Sequence, residues 1–593
     1  MNAKLAKLNN PRVNAIIDTY VALCEPSRVI ILDDSDEDVD AIRRQAAALG
    51  EEIPLARQGH TCHFDGPSDQ ARDKLHTKLL ISEPIDFGFE TETMDRQQAI
   101  DELQPLLKGI MRGKDMYVRF ASLGPAGSPL SIRAMQITDS AYVVHCEDLL
   151  YRRGYEAFLN AKDKDDFFLF VHSAGELENG VTKNISQRRI YVDLDGEQVF
   201  TLNNQYAGNS VGLKKLAFRL AIARAHKAGW LAEHMFLMGV KAKGRTTYFA
   251  GAFPSGSGKT STAMIPGQSI VGDDLIYAQE VDGKLRAVNV EKGIFGIIEN
   301  VNAEDDPEIY KVLTSECECI FSNVLISREG VPYWQGSKVA PPAEGGKHYL
   351  GFWKPGDVNA AGKPVDISHK NARYTICLNA LTNCDPALHA AEGVEVRGII
   401  YGGRDSDTSV PILEARSWTH GVLLGACIES ETTAATLGTI GVRQHNPYAS
   451  LDFMTIPLNQ YIQNHLDMGQ RLKTCPEIFV TNYFLKNDRG EFLNHKLDKK
   501  VWILWAEARV HGEVGAIDTP IGRIPLYEDL KRLFREALHK DYSPEAYETQ
   551  FRIRVCAYRQ KWQRMKDIFA PLAMPEVFKN ELQAQIQKLE QSP

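Results

Sequence analysis

The residues with the clearest chemical capacity lie in Phe253-Pro-Ser-Gly-Ser-Gly-Lys-Thr-Ser261. An apolar run, Thr246 to Phe253, precedes them and reads as a buried strand. Thr260 to Ile265 follows and reads as the first turns of a helix. Strand, glycine loop and helix together make a phosphate cradle: backbone N–H groups point at anionic oxygens and the helix dipole adds partial positive charge. Lys259 supplies a mobile charge for distal phosphates, and the Thr260 hydroxyl can reach a Mg²⁺. The usual pattern has a further glycine where Phe253 stands. A tight glycine turn carrying a solvated lysine is the alternative reading.

Other residues gain meaning from their distance to this loop. Ser269-Ile-Val-Gly-Asp-Asp274 reads as a strand ending in two carboxylates, a natural divalent-metal site beside a phosphate loop, or else a solvated turn. Lys214 and Lys215 stand at the start of a periodic helix, Leu216 to Ala228. Cations are unfavourable at that end of the dipole unless an anion is near; a solvated lysine pair is the plain alternative. His234 borders the apolar run Met235 to Val240, and such a histidine is more often a satisfied core group than a ligand. Arg72 on its own is a surface arginine, and Arg404 lies at a loop edge after the strand-then-glycine run Gly398 to Gly403.

The elements that must position these groups alternate from the start of the chain. Pro11 to Cys24 has helical spacing, with Asn10 as its cap and Pro11 at the first helical position. Arg28–Leu32 reads as a strand, Asp33–Asp40 as an acidic turn and Asp40–Leu49 as a helix. Met116–Phe120 and Ile137–Val144 read as strands. Arg189–Asp193 and Gln198–Phe200, joined through Asp195-Gly196, read as a hairpin. Cys317–Ile326 reads as one strand, Pro307–Leu313 as a helix, Glu329–Lys363 as loops, and the region from Pro525 as helices with a solvated basic face.

At 593 residues the chain is too long for one ordinary core, so two or more domains are expected. Net charge is −9, which argues against nucleic acid as an obligatory partner. No apolar run is long enough to span a membrane, and Met1 to Asn10 lacks the apolar core of a signal peptide. The ten cysteines show no zinc spacing, so a reduced, cytoplasmic protein is expected.

Several further segments stand together in one family. They are Gly-Trp-Leu-Ala-Glu-His-Met at 229–235, Tyr206-Ala-Gly-Asn209 followed by Lys214-Lys215, and Val-Gly-Asp-Asp at 271–274. With them are Gly-Gly-Arg at 402–404, Trp-Thr-His-Gly at 418–421, Asn371-Ala-Arg-Tyr374, Asp69-Gln-Ala-Arg72 and the Gly-Pro-Ala-Gly-Ser-Pro loop at 124–129. Over most of its length the chain resembles GTP-dependent phosphoenolpyruvate carboxykinase, a gluconeogenic lyase. The resemblance implies an α/β fold of two lobes around a cleft, an N-terminal substrate lobe at 1–228 and a P-loop nucleotide lobe at 229–593, with a mobile lid near 432–440. It implies a catalytic Mn²⁺ on Lys215, His234 and Asp274, with Asp273 ordering the metal shell and Ser255 beside it. That reverses the core reading of His234, and it requires a lysine whose pKa is pulled down by the metal. Arg72, Tyr206, Gly208, Asn209 and Asn371 would hold oxaloacetate or phosphoenolpyruvate. Arg373 and Arg404 would bracket the moving phosphoryl, with Lys214 and Ser257 among the catalytic groups. Gly256, Ser257, Gly258, Lys259, Thr260 and Ser261 would cradle GTP or GDP, Thr260 holding the nucleotide's own Mg²⁺ or Mn²⁺. Phe484 and Phe492 would stack on guanine. A monomer acting on small molecules and CO₂, with no nucleic-acid or membrane partner, is the expectation.

The departures from the family pattern cluster around nucleotide and lid. Leu497 stands for a third phenylalanine and Lys500 for a base-reading asparagine. Ile294–Val301 departs from the family's Phe-Phe-Gly-Val-Ala-Pro-Gly-Thr, and Ile428-Glu-Ser-Glu431 exchanges a positive charge for a negative one. The Arg-Pro-Phe-Phe-Gly segment is absent around Asn446–Thr455, and the family's reactive loop cysteine is Ser257. A donor other than GTP (ATP, ITP or pyrophosphate), a P-loop kinase that moves phosphate without decarboxylation, and a non-catalytic nucleotide sensor are the rival readings. The sensor would have lost Lys259, Asp274 or Lys215, and all three are present.

Overall fold

The computed structural model describes residues 2–178, 180–432 and 441–591. The expected lid at 432–440 therefore lies, apart from Thr432, outside the described residues. The helix at Pro11–Cys24 forms as its spacing predicts, and the Asn10 side chain accepts the Val13 N–H. The chain separates into two compact units. One comprises residues 1–86, 90–223 and 290–382; the other comprises 87–89, 224–289 and 383–593.

The first unit is built on a nine-stranded mixed sheet. Its central strands Asp115–Leu123, Ile132–Thr138 and Phe168–Ser173 carry Met116, Val118, Phe120, Met135, Ile137, Leu169 and Val171 into one core. The helices Pro11–Cys24 and Arg96–Leu107 cover that core with Val13, Ile17, Leu103 and Leu107. A five-stranded sheet runs through Ile53–Pro54, His60–His63, Cys319–Ser322, Arg373–Cys377 and Gly293–Ile297. Cys319–Ser322 pairs in parallel with His60–His63. Through that pairing Val290–Thr382 packs with the N-terminal strands in the first unit.

Local expectations fail where burial hides the period. Ile137–Val144 is not a strand: one ends at Thr138 and the helix Ala141–Leu150 begins, capped by Ser140, whose hydroxyl accepts the Val143 N–H. All ten helical residues are buried, so no polar stripe marks the turn period. The acidic turn is largely the first turn of helix Asp36–Ala48, where Asp36, Glu37 and Asp38 suit the dipole behind the Ser35 cap. Cys317–Ile326 is two strands, broken at Asn323, whose φ is +60° and whose amide clasps Asp65. The expected loops of 329–363 contain the short strands Pro332–Tyr333, Gly346–His348 and Gly351–Trp353.

In the second unit an eleven-stranded sheet carries the phosphate loop. Four C-terminal helices follow Pro525, and their face is not simply solvated: Val555–Phe569 buries Tyr558, Trp562, Met565 and Phe569. Among the described residues no helix is long and apolar enough to cross a membrane.

Candidate active site

Three strands of the second unit, Arg245–Ala252, Val394–Gly403 and Glu477–Asn482, lie side by side and parallel. Their register pairs Ala252 with Tyr401 and Tyr401 with Val480. The segments that follow them therefore leave from one edge of the sheet: loop 253–258, Arg404, and Tyr483-Phe484. Phe236–Ala242 is antiparallel to Arg245–Ala252, and Ser269–Gly272 is antiparallel to Phe236–Ala242. Asp273 and Asp274 thus emerge at the same edge, and His234 enters there. The carboxyl edge of parallel strands is where α/β sheets place ligands.

In the loop, Gly256 and Gly258 have φ of +72° and +97°, which side-chain-bearing residues resist. A Cβ at Gly258 would also stand 3.2 Å from the Tyr483 ring. Ser255 and Gly256 are exposed, and Gly258, Thr260 and Ser261 half-buried. The buried Ser257 hydroxyl donates to the Pro254 carbonyl, bracing the loop where the family has a thiol. Lys259 opens the helix Lys259–Ala263, and its Nζ lies 2.8 Å from Asp274 Oδ1.

The same Asp274 oxygen is 3.0 Å from His234 Nε2. His234 Nδ1 is 2.7 Å from the Ala449 carbonyl. A carbonyl only accepts, so Nδ1 carries a proton and a neutral imidazole turns its lone pair on Nε2 toward the carboxylate. Two such bases at 3.0 Å need a proton or a cation between them. Imidazole and carboxylate, with the imidazole's other nitrogen tied to a carbonyl, are a fitting donor set for a divalent ion. Lys215, the third expected ligand, begins the helix Lys215–Ala228 and belongs to the first unit.

At the expected base site, the Arg404 guanidinium lies over the Phe484 ring, 4.2 Å from its centroid. Phe484 and Phe492 meet edge to face at 6.1 Å. Phe492 and Leu497 are each 51% exposed, so the position of the third family phenylalanine is an open aliphatic surface. The reversed charge in Ile428–Glu431 has its own partner: Glu429 receives Arg564 through Nε at 2.9 Å and Nη2 at 2.8 Å.

The expected substrate residues of the first unit also interlock. Asn371 donates to the Tyr206 hydroxyl at 2.9 Å and to the Gln70 carbonyl at 2.8 Å. Arg373 donates to Asn371 Oδ1 at 2.7 Å and lies over Phe295 at 4.9 Å. Asn209 donates to the Ala71 carbonyl at 3.1 Å, next to Arg72, which is exposed. A Cβ at Gly208 would meet the Tyr206 ring at 2.3 Å, so only glycine fits there. Asp69 accepts the Gln205 and Tyr206 N–H groups; burial and the charge of Asp65 push its carboxyl up to about 7. Lys214 ion-pairs with the buried Glu291 at 2.7 Å.

Sequence reasoning missed Glu291, Phe295 and the Ala449 carbonyl. Phe295 carried a signal, as an aromatic retained within a departing segment; a backbone carbonyl carries none.

Comparison with known proteins addresses the family of the chain. The family pattern described as phosphoenolpyruvate carboxykinase C-terminal P-loop domain matches residues 230–589, and the one described as phosphoenolpyruvate carboxykinase N-terminal domain matches 15–226. Phosphoenolpyruvate carboxykinase [GTP] of Pyrococcus horikoshii is 52% identical over 591 residues, covering 99% of this chain and 94% of that protein. The protein of the same name from Saccharolobus solfataricus is 46% identical over 99% of this chain and 94% of its own length. That of Chlamydia trachomatis serovar D is 32% identical over 89% and 90%. With both halves matched and identity sustained end to end, the chain belongs to the GTP-dependent phosphoenolpyruvate carboxykinase family.

Proposed function

We propose that this chain catalyses the reversible conversion of oxaloacetate and GTP into phosphoenolpyruvate, CO₂ and GDP. The observation that carries the reading is the junction of Lys259, Asp274 and His234 at the mouth of the glycine loop, a cation site and a phosphate cradle on one sheet edge. A divalent cation, which we propose is Mn²⁺ on His234, Asp274 and Lys215, supplies positive charge where an enolate forms.

The chain's own groups do the rest. Arg72, Tyr206, Asn209 and Asn371 hold the dicarboxylate, the last three already oriented by their mutual and backbone hydrogen bonds. Loss of CO₂ leaves electron density on the enolate oxygen, which attacks the γ-phosphoryl in line. Lys259, Arg373 and Arg404 neutralise the phosphoryl oxygens, a task for preorganised cations. Loop N–H groups hold the β- and γ-phosphates, and Phe484 with Phe492 forms the base platform. The lid at 432–440 would keep water from the enolate, which otherwise protonates to pyruvate. We further propose that the protein acts as a monomer in the cytoplasm.

A donor screen tests the reading: purified protein, Mn²⁺ and oxaloacetate with GTP, ITP, ATP or pyrophosphate, scoring phosphoenolpyruvate. GTP and ITP are expected to support turnover. Turnover with ATP or pyrophosphate alone would move the donor assignment, in keeping with Leu497 and Lys500, and leave the carboxykinase. No phosphoenolpyruvate with any donor would overturn the reading.

A further inference from the structure

The carbonyl that holds His234 comes from an unusual turn. Tyr448 and Ala449 have φ of +52° and +54°. Side-chain-bearing residues avoid this region, and a bulky one there is a rare outlier. Two in succession need a surrounding structure that over-determines them, and such strain gathers at functional sites.

That surrounding structure is on hand. The fully buried Tyr448 ring stacks on the His465 imidazole at 4.4 Å and 13°. Its hydroxyl donates to the Val422 carbonyl at 2.9 Å. Gly425 lets helix Trp418–Ala426 approach, since a Cβ there would stand 2.7 Å from the ring. His465 in turn is ion-paired at 3.0 Å with Glu233, which also accepts the Tyr461 hydroxyl at 2.9 Å. Glu233 immediately precedes His234. The contacts close a ring: His234 to Ala449, Tyr448 to His465, His465 to Glu233, and back along the chain to His234.

We infer that the Tyr448-Ala449 turn, clamped by His465 and Glu233, is a positioning element that sets the tautomer and orientation of His234 for a divalent cation. The inference rests on His234 being a metal ligand. Rotating the imidazole off Asp274 requires moving either the Ala449 carbonyl or the strand that carries Glu233, and the stack ties those two together. The turn lies within 446–455, where the family's Arg-Pro-Phe-Phe-Gly segment is absent, so a segment that departs in sequence still delivers a carbonyl to the ligand.

The test is Mn²⁺ binding to the full-length protein without nucleotide or substrate, followed by electron paramagnetic resonance of the free ion. Tyr448→Leu removes the stack and is expected to weaken binding roughly 10- to 100-fold, as loss of outer-shell support does elsewhere. Tyr448→Phe keeps the ring and is expected to bind as the parent does, a rescue that separates the stack from the hydroxyl. Ala449→Gly is compatible with the fold because glycine accepts positive φ; by freeing the turn it is expected to weaken Mn²⁺ binding with Tm unchanged. In both weakened variants the ¹⁵N resonances of His234 are expected to show a mixed tautomer. Parent-like Mn²⁺ affinity in folded Tyr448→Leu and Ala449→Gly would overturn the inference, and Ala449→Gly decides alone if Tyr448→Leu does not fold. A parent protein that binds no Mn²⁺ would instead overturn the metal reading itself, and this inference with it.

Discussion

At Asp274 one carboxylate oxygen faces an ammonium and an imidazole, each within 3.0 Å. Amidation keeps the shape and removes the charge. Asp274→Asn is therefore expected to lower kcat at least ~100-fold, beyond what loss of an outer-shell partner costs, with the fold intact by circular dichroism. Lys215→Ala is expected to abolish turnover while GDP binding by calorimetry stays near the parent's; unaffected turnover would remove Lys215 from the ligand set. The serine in the loop has a different consequence. Thiolates, not thiols, react, and burial pushes Cys24 up to about 12 and raises Cys317 and Cys475. Only Cys556 is exposed among the cysteines. Iodoacetamide at neutral pH is expected to label Cys556 first, by peptide mass mapping, and to leave activity unchanged.

The elements matter through how closely they pack under the loop. A Cβ at Gly402 would lie 2.0 Å from the Phe253 ring, the first residue of the phosphate loop. Both groups are buried, so neither has room to retreat. Gly402→Ala is expected to cost about 1–3 kcal/mol by overpacking, seen in denaturant unfolding, and to weaken nucleotide binding because the displaced ring carries the loop. The Glu429–Arg564 pair tests whether the altered motif Ile428–Glu431 is internally compensated. Arg564→Ala leaves the mostly buried Glu429 without its fork and is expected to cost roughly 2 kcal/mol. Exchanging the two, Glu429→Arg with Arg564→Glu, is expected to recover most of that loss in thermal melts.

At the scale of the whole molecule, stability draws on buried ion networks. In the first unit His145 contacts Glu52 at 2.9 Å and Glu318 at 3.1 Å, and Glu318 also takes Arg43. Burial alone would lower the His145 pKa, but the charge of Glu52 and the hydrogen bonds to Glu318 and Glu52 outweigh it and hold it at about 9, above the ordinary 6.5. Burial would raise Glu318, but the hydrogen bonds from His145 and Arg43 bring it to about 2. The histidine's contribution is complete below 6.5 and disappears as pH rises through about 9; the glutamate's is complete above 4.5 and disappears as pH falls toward 2. For the imidazole this is on the order of 3 kcal/mol. The melting temperature is therefore expected to decline from pH 6.5 to 9.5, and His145→Gln is expected to flatten that decline.

The amino-acid order alone determined what is local. The Gly-Ser-Gly-Lys-Thr spacing, the strand before it and the acidic strand end after it need only a few neighbouring residues to be read, and the structure keeps them as read. The Asn10 cap and the 189–202 hairpin are of the same kind. Tertiary structure decided what depends on pairing across long separations. Val290–Thr382 joins the first unit because Cys319–Ser322 hydrogen-bonds to His60–His63, and backbone hydrogen bonds carry no residue code. The helix at 141–150 looked like a strand because complete burial removes the polar stripe that marks a turn period. The carbonyl of Ala449 on His234 was invisible for the most basic reason: every residue has one, and only the fold decides where it points.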